Sequence, residues 1–327
     1  MVLAADVRTT AGRLAGRSAK AVAAASADLH VQLNTLNRVR LQPALPVEAG
    51  SEPVGSQWRC PSEALLVSEA RFLEADRAEA AGVAAGAPTD VDDFVDWFQE
   101  LRGCGAGQDH PLFDFLEQEA TFEEVRWFVR QEVAGEAGFE DLVALTQLRM
   151  PVRAKLEMAR NYWDEMGRGK RQAMHGPLLA NLAFALDVAA TAPDEIVWES
   201  LAVANLMAGL AFHRHYAFQS VGALGVIELT APTRAPKVTN ALHRVGIGPD
   251  ASRYFRLHAV VDVAHSRAWN TEVIATLVAE RPELAVHIAQ GAVMRLNAGA
   301  RTFERYATEF GISTSQAGAR RSSLSIA

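Results

Sequence analysis

Apolar residues recur at helical spacing along most of this chain, and no run alternates apolar and polar positions long enough to predict a strand. The pattern predicts a helix from about 61 to 84. Thr89-Asp-Val-Asp-Asp93 then offers an N-terminal cap to Phe94-Val-Asp-Trp-Phe-Gln-Glu-Leu101, which Gly103-Cys-Gly-Ala-Gly107 ends. From 121 onward almost everything reads as helix. Thr121, with Glu123 and Glu124, starts Val125 to Val133, and Pro151 opens a stretch with Leu156, Met158, Tyr162 and Trp163 at helical spacing. Pro193-Asp194 opens a long helix from Ile196 to about Leu229, apolar on most faces and therefore central. Thr230-Ala-Pro-Thr-Arg-Ala-Pro236 breaks it, and two further helices cover about 250 to 280 and 283 to 309, separated by Arg281-Pro282. The fold class is all-α.

Residues 1 to about 60 read as a peripheral extension: an exposed amphipathic Ala/Arg helix, then the Pro/Gly-rich linker Leu41-Gln-Pro-Ala-Leu-Pro-Val-Glu-Ala-Gly-Ser-Glu-Pro53. The division is thus 1–60 for helix and linker, 61–310 for a helical bundle and 311–327 for a flexible Ser-rich tail. Arg8, Arg13, Arg17 and Lys20 superficially suggest a transit peptide, but Asp6 and Asp28 interrupt that pattern.

Composition narrows the function classes. With 49% hydrophobic and 22% charged residues the chain is globular, and a net charge of -7 argues against nucleic-acid binding. No window approaches a membrane span. Cys60 and Cys104 make neither a disulfide framework nor a metal motif, which favours a reduced cytoplasmic setting. Gly103 to Gly107 lacks the Lys-Ser/Thr ending of a phosphate loop, and neither a nucleophile elbow nor a His-Glu-x-x-His zinc motif occurs.

The chemistry concentrates in Leu257-His-Ala-Val-Val-Asp-Val-Ala-His-Ser266. Offsets of four and seven residues put His258, Asp262 and His265 on one helical face among small apolar neighbours. Buried imidazoles and a carboxylate need protons, partners or a metal, and nitrogen and oxygen donors suit iron, manganese or zinc. Other segments carry matching groups: Glu228 among apolar residues in Gly222-Ala-Leu-Gly-Val-Ile-Glu228, and Glu165 and His175 in the segment Tyr162 to Pro177. Three carboxylates against two ferrous ions leave room for a substrate carboxylate or peroxide.

At these residues the sequence resembles the heme-oxygenase-like diiron oxidases and oxygenases, the iron-containing redox enzymes. Their pattern takes Glu and His from one core helix, Glu from a second and H-x-x-x-D-x-x-H from a third; here Glu165 and His175, Glu228, then His258, Asp262 and His265 match in order. Asp164-Glu-Met-Gly167, Gly222 to Glu228 and Tyr254-Phe255 match in character, and the resemblance covers roughly 120 to 300. It implies a heme-oxygenase-like bundle in which all six residues ligate two iron ions, with dioxygen as co-substrate and an external electron donor. The implied reaction is oxidation of a small amine or amino-acid-like substrate, by N-oxygenation or oxidative cleavage, in specialised biosynthesis. A homodimer is the expected assembly. Two alternatives are an oxidative decarboxylase of an apolar carboxylic acid and a non-catalytic helical interaction protein in which His258, Asp262 and His265 pair internally.

Regular helix between Glu165 and His175 would span about 15 Å and turn them to different faces, so Gly167 and Gly169 are expected to break it. Asp164 and Glu157 stand as alternatives to Glu165 if the helix phase differs. Some relatives add a carboxylate from the preceding helix; Glu132, Glu136 and Glu140 are candidates there, but they read more simply as solvated helix-face acids. His213, His215 and Tyr216 lie about four turns before Glu228, too far to ligate with it. Arg256 and Arg267 flank the ligand helix and could pair with a substrate carboxylate, although ordinary salt bridging explains them better. His30, His110, His243 and His287 show no partners in the sequence. Inward acids disfavour a heme, which needs apolar walls and one proximal His.

Overall fold

The computed structural model describes residues 3–41 and 62–313. Every regular element among them is helical: α1 (Leu3–Leu41), α2 (Glu63–Ala84), α3 (Val91–Cys104), α4 (Pro111–Gln118), α5 (Phe122–Gly135), α6 (Phe139–Thr146), α7 (Val152–Glu165), α8 (His175–Ala185), α9 (Trp198–Phe212), α10 (Ala217–Arg244), α11 (Arg253–Ala268), α12 (Ala275–Glu280) and α13 (Ala285–Glu309). No helix among the described residues is long and apolar enough to cross a membrane. The expected linker after Leu41, Cys60 and most of the expected tail lie outside the described residues.

Contacts group the chain into two units, Met1–Ala70 and Arg71–Ala327. In the first, Arg40 near the end of α1 grips Glu69 of α2 with two parallel hydrogen bonds of 2.6 and 3.0 Å. This fork is the geometry in which an Arg–carboxylate pair is strongest.

The second unit is built around α10. Gly222 and Gly291 let α10 and α13 touch backbone to backbone: a Cβ on Gly291 would fall 1.7 Å from the Gln219 carbonyl oxygen, and one on Gly222 would fall 1.9 Å from that of Ile288. Gly225 makes room for the fully buried Trp269, whose indole N–H donates to the Val221 carbonyl at 3.2 Å. Gly222 and Gly225 therefore fix α10 against its neighbours within the two turns before Glu228. Trp269 begins a π-helical turn, Trp269–Ile274, directly after α11; such turns are common beside functional sites.

Two boundaries differ from the sequence pattern. The long helix expected from Ile196 to Leu229 is two helices, because the chain extends at His213 and makes a tight turn over Arg214–Tyr216. The Arg214 guanidinium holds that turn on the carbonyls of Leu145, Thr146 and Leu148. Conversely, α10 runs straight through Pro232 and Pro236, where a break was expected. Each proline forfeits a helical hydrogen bond, at about 3 kcal/mol. Burial of Ala235, Val238, Ala241 and Leu242 in the core outweighs that cost.

Candidate metal centre

Glu165 is the last residue of α7 and His175 the first of α8. Gly167, Arg168 and Gly169 all take left-handed backbone angles, with φ of 62°, 52° and 79°. The chain doubles back so tightly that a Cβ on Gly167 would meet the Ala173 carbonyl carbon at 2.6 Å, so only glycine fits. The expected break is present, and it brings His175 Nδ1 to 3.0 Å from Glu165 Oε2.

Five of the six expected residues fall into two overlapping groups. Glu165, His175 and His258 form one; Glu165, Glu228 and His265 form the other; within each group one donor atom per residue lies within 4.8 Å of the rest. The seven-residue offset explains the division, since it separates the two histidine Cα atoms by about 10 Å along one face of α11. Each imidazole therefore serves a different position, and the Glu165 carboxylate belongs to both. Asp262 lies between them on α11, is buried, and lines the same cavity without joining either group. Burial, with Glu228 and Glu165 close by, holds its carboxyl well above the usual range.

The outer atoms of these side chains are also held. His258 Nδ1 lies 2.7 Å from the Tyr254 carbonyl oxygen, so that nitrogen carries the proton and Nε2 is left as an unprotonated donor atom. Burial, and then the neighbouring His175, pushes its pKa down to about 4, which keeps the ring neutral. His265 Nε2 faces Asp164 Oδ2 at 3.3 Å, and Asp164 is held in turn by Arg168 at 2.7 Å and Arg160 at 3.1 Å. Burial opposes charge on His265, but Glu228 and Glu165 outweigh it and raise its pKa to about 9. Asn161 donates to Glu228 Oε1 at 2.7 Å, and the Tyr254 hydroxyl lies 3.2 Å from His175 Nε2.

Asp164 and Glu157, the alternatives to Glu165, point elsewhere: Asp164 stands behind His265, and Glu157 pairs with Arg160. The carboxylates of α5 and its C-terminal flank are not the solvated acids that their spacing suggested. Glu132 and Glu136 line the cavity. Glu136 lies 3.4 Å from His175 Nε2 and accepts from the N–H groups of Gly138 and Phe139. Glu140 is half-buried, and burial raises its carboxyl. Arg256 and Arg267 are exposed and line no part of the cavity. Neither forms an expected salt bridge among the described residues; the guanidiniums that do reach the cavity are Arg234 and Arg295. His213 and His215 sit at the α9–α10 turn, away from the cavity lining. Partners absent from the sequence pattern also emerge: His110 caps α4, His243 bonds Ser252 at 2.9 Å, and His287 lies 3.5 Å from Gln219.

The donor set fits a metal on one further ground. His265 Nδ1 is buried and makes no hydrogen bond, although Glu165 Oε1 and Glu228 Oε2 lie only 3.4 and 3.5 Å away. An unsatisfied imidazole nitrogen set between two carboxylate oxygens is arranged for a shared cation. Carboxylates and imidazoles converging from α7, α8, α10 and α11 inside an all-α bundle are the arrangement with which helical bundles can hold metal ions. A family model described as iron-containing redox enzyme matches residues 126–300, and the chain belongs to that family, with its heme-oxygenase-like bundle. No curated protein sequence matches the chain.

Proposed function

We propose that the protein is a non-heme diiron oxygenase that oxidises a small organic substrate with dioxygen. The observation that carries this reading is the Glu165 carboxylate shared by two ligand groups, each with its own α11 histidine. Glu165, His175 and His258 would hold one ion, Glu165, Glu228 and His265 the other, with Asp262 beside both. When bound, two ferrous ions supply the electrons that reduce dioxygen.

The chain's own groups set the conditions for that chemistry. The Tyr254 carbonyl fixes the His258 tautomer, Asp164 orients His265, and Asn161 holds one oxygen of Glu228. Phe113, Phe128, Phe139, Leu142, Val203 and Met207 line the cavity and keep bulk water from the reacting groups. Its volume of about 140 Å³ is close to that of an engineered cavity that takes benzene, about 150 Å³. This size favours a small substrate, such as an amine or an amino-acid-like molecule, over a long-chain acid. An external donor would return the electrons between turnovers.

The test is to load the protein with ferrous iron without oxygen, then mix it with oxygenated buffer while following oxygen uptake and the visible spectrum. Rapid oxygen uptake with a transient band is the expected result. Iron retained but inert to oxygen would overturn the oxygenase reading, and an intact protein that takes no iron would leave a helical interaction protein.

A further inference from the structure

The cavity that receives the cluster also receives two arginines, Arg234 of α10 and Arg295 of α13. Both side chains are half-buried, and both line the cavity. Neither makes an ion pair among the described residues. Arg234 donates from Nη1 to Thr230 Oγ1 at 3.1 Å, and its guanidinium carbon stands 5.9 Å from the centre of the Phe303 ring. Arg295 runs along its own helix past Gly299, where a Cβ would meet its Nη1 at 2.8 Å, so the glycine admits the guanidinium. Arg295 Nε is buried with no hydrogen-bond partner.

One carboxylate, Glu132, lies within electrostatic reach of both arginines. Its Oε1 accepts from the Tyr306 hydroxyl at 3.2 Å, and that hydroxyl lies 2.9 Å from Ser200 Oγ. Asp262 also lies within electrostatic reach of Arg234, yet no carboxylate forms an ion pair with either guanidinium among the described residues. Burial depresses both arginines, Arg295 to about 10, which is the mark of cations without adequate partners. A buried charge persists where something pairs with it, and the planar guanidinium fork matches a carboxylate.

We propose that Arg234 and Arg295 bind a carboxylate group of the substrate at a subsite separate from the metal cluster. The substrate is then a small acid that offers a different atom, such as an amine nitrogen or a carbon, to the cluster. Its apolar middle would lie against Phe113, Phe128 and Met207. This assignment rests on the oxygenase reading and narrows it. It also opposes a decarboxylase arrangement in which the acid group sits on the metals.

The test uses the full-length protein, without iron and loaded anaerobically with ferrous iron, titrated calorimetrically with pentanoate and with pentanamide, its uncharged counterpart. Pentanoate is expected to bind at least about tenfold tighter than the amide, the scale of a charged hydrogen bond. Arg234→Gln with Arg295→Gln should erase that preference while iron content stays unchanged. Should the double variant fail to fold, Arg295→Lys, which keeps the charge but loses the fork, and Gly299→Ala, which displaces the guanidinium, should each weaken pentanoate alone. Equal binding of acid and amide overturns the proposal, as does a pentanoate preference that survives in the folded arginine variants. Iron content of the same samples separates the two readings: arginine-dependent pentanoate binding without iron uptake would sink the oxygenase and keep the anion subsite. Full iron loading without that dependence would do the reverse.

Discussion

The carboxylate–imidazole cluster and the arginine pair share one cavity yet are unbalanced in opposite directions. At the cluster, Glu165, Glu228 and Asp262 converge with three histidines, and protons on His175, His265 and Asp262 relieve the crowding of buried groups. At the other region, Glu132 reaches both Arg234 and Arg295 and Asp262 reaches Arg234, yet neither guanidinium forms an ion pair among the described residues, and no proton shift can neutralise a guanidinium. The first imbalance is the kind that cations resolve by displacing protons; the second is the kind that an anion resolves. On the two proposals above, the cavity would take metal ions at one place and an acidic substrate at another.

The strongest way to break this contrast is Glu165→Ala, which removes the carboxylate common to both groups. Iron affinity should fall by more than about 100-fold, beyond the range for outer partners, while pentanoate affinity in the iron-free protein changes little; metal analysis and calorimetry on one sample read both. Gly291→Ala acts on the frame that joins the two regions, since α10 carries Glu228 and Arg234 and α13 carries Arg295. Its Cβ would meet backbone that cannot yield, so stability should drop by about 3 kcal/mol, measured by urea unfolding. A change below about 0.5 kcal/mol would show that the helices are not in backbone contact. Asp164→Asn sharpens the contrast more gently: it keeps every cluster residue and weakens the hold on His265, so iron affinity should fall by about 10- to 100-fold with no effect on pentanoate. Arg256→Gln and Arg267→Gln should do least. Both side chains are exposed, so stability should move by less than about 0.5 kcal/mol and pentanoate affinity not at all; a loss of pentanoate binding would place the acid near α11 instead.

Much of the candidate site's geometry was legible in the sequence because helical periodicity turns spacing directly into relative position. His258, Asp262 and His265 share a face for that reason, and the glycines at 167 and 169 had to interrupt any helix linking Glu165 to His175. The family match over 126–300 covers nearly the range where the motifs resemble that family. Periodicity was silent on contacts between helices. It put the helix break at Pro232 and Pro236, where core packing carries α10 through, and missed the one at His213, which the distant Arg214–carbonyl bonds hold. Glu132 and Glu136 look solvated because their spacing is measured along the chain, whereas Tyr306 of α13 bonds Glu132 and His175 of α8 faces Glu136. Arg295 carried a signal: a single cation in the apolar run Ala292-Val-Met-Arg-Leu296, the charged counterpart of Glu228 among its apolar neighbours.

Iron stoichiometry tests the central claim most directly, taken after anaerobic ferrous loading and desalting of the wild type, His258→Ala and His265→Ala. Because each histidine belongs to a different group around Glu165, the wild type should retain about two irons per chain and each variant about one. A wild type that holds a single iron, lost entirely in both variants, would mean that the two groups describe one centre and that the diiron account is wrong.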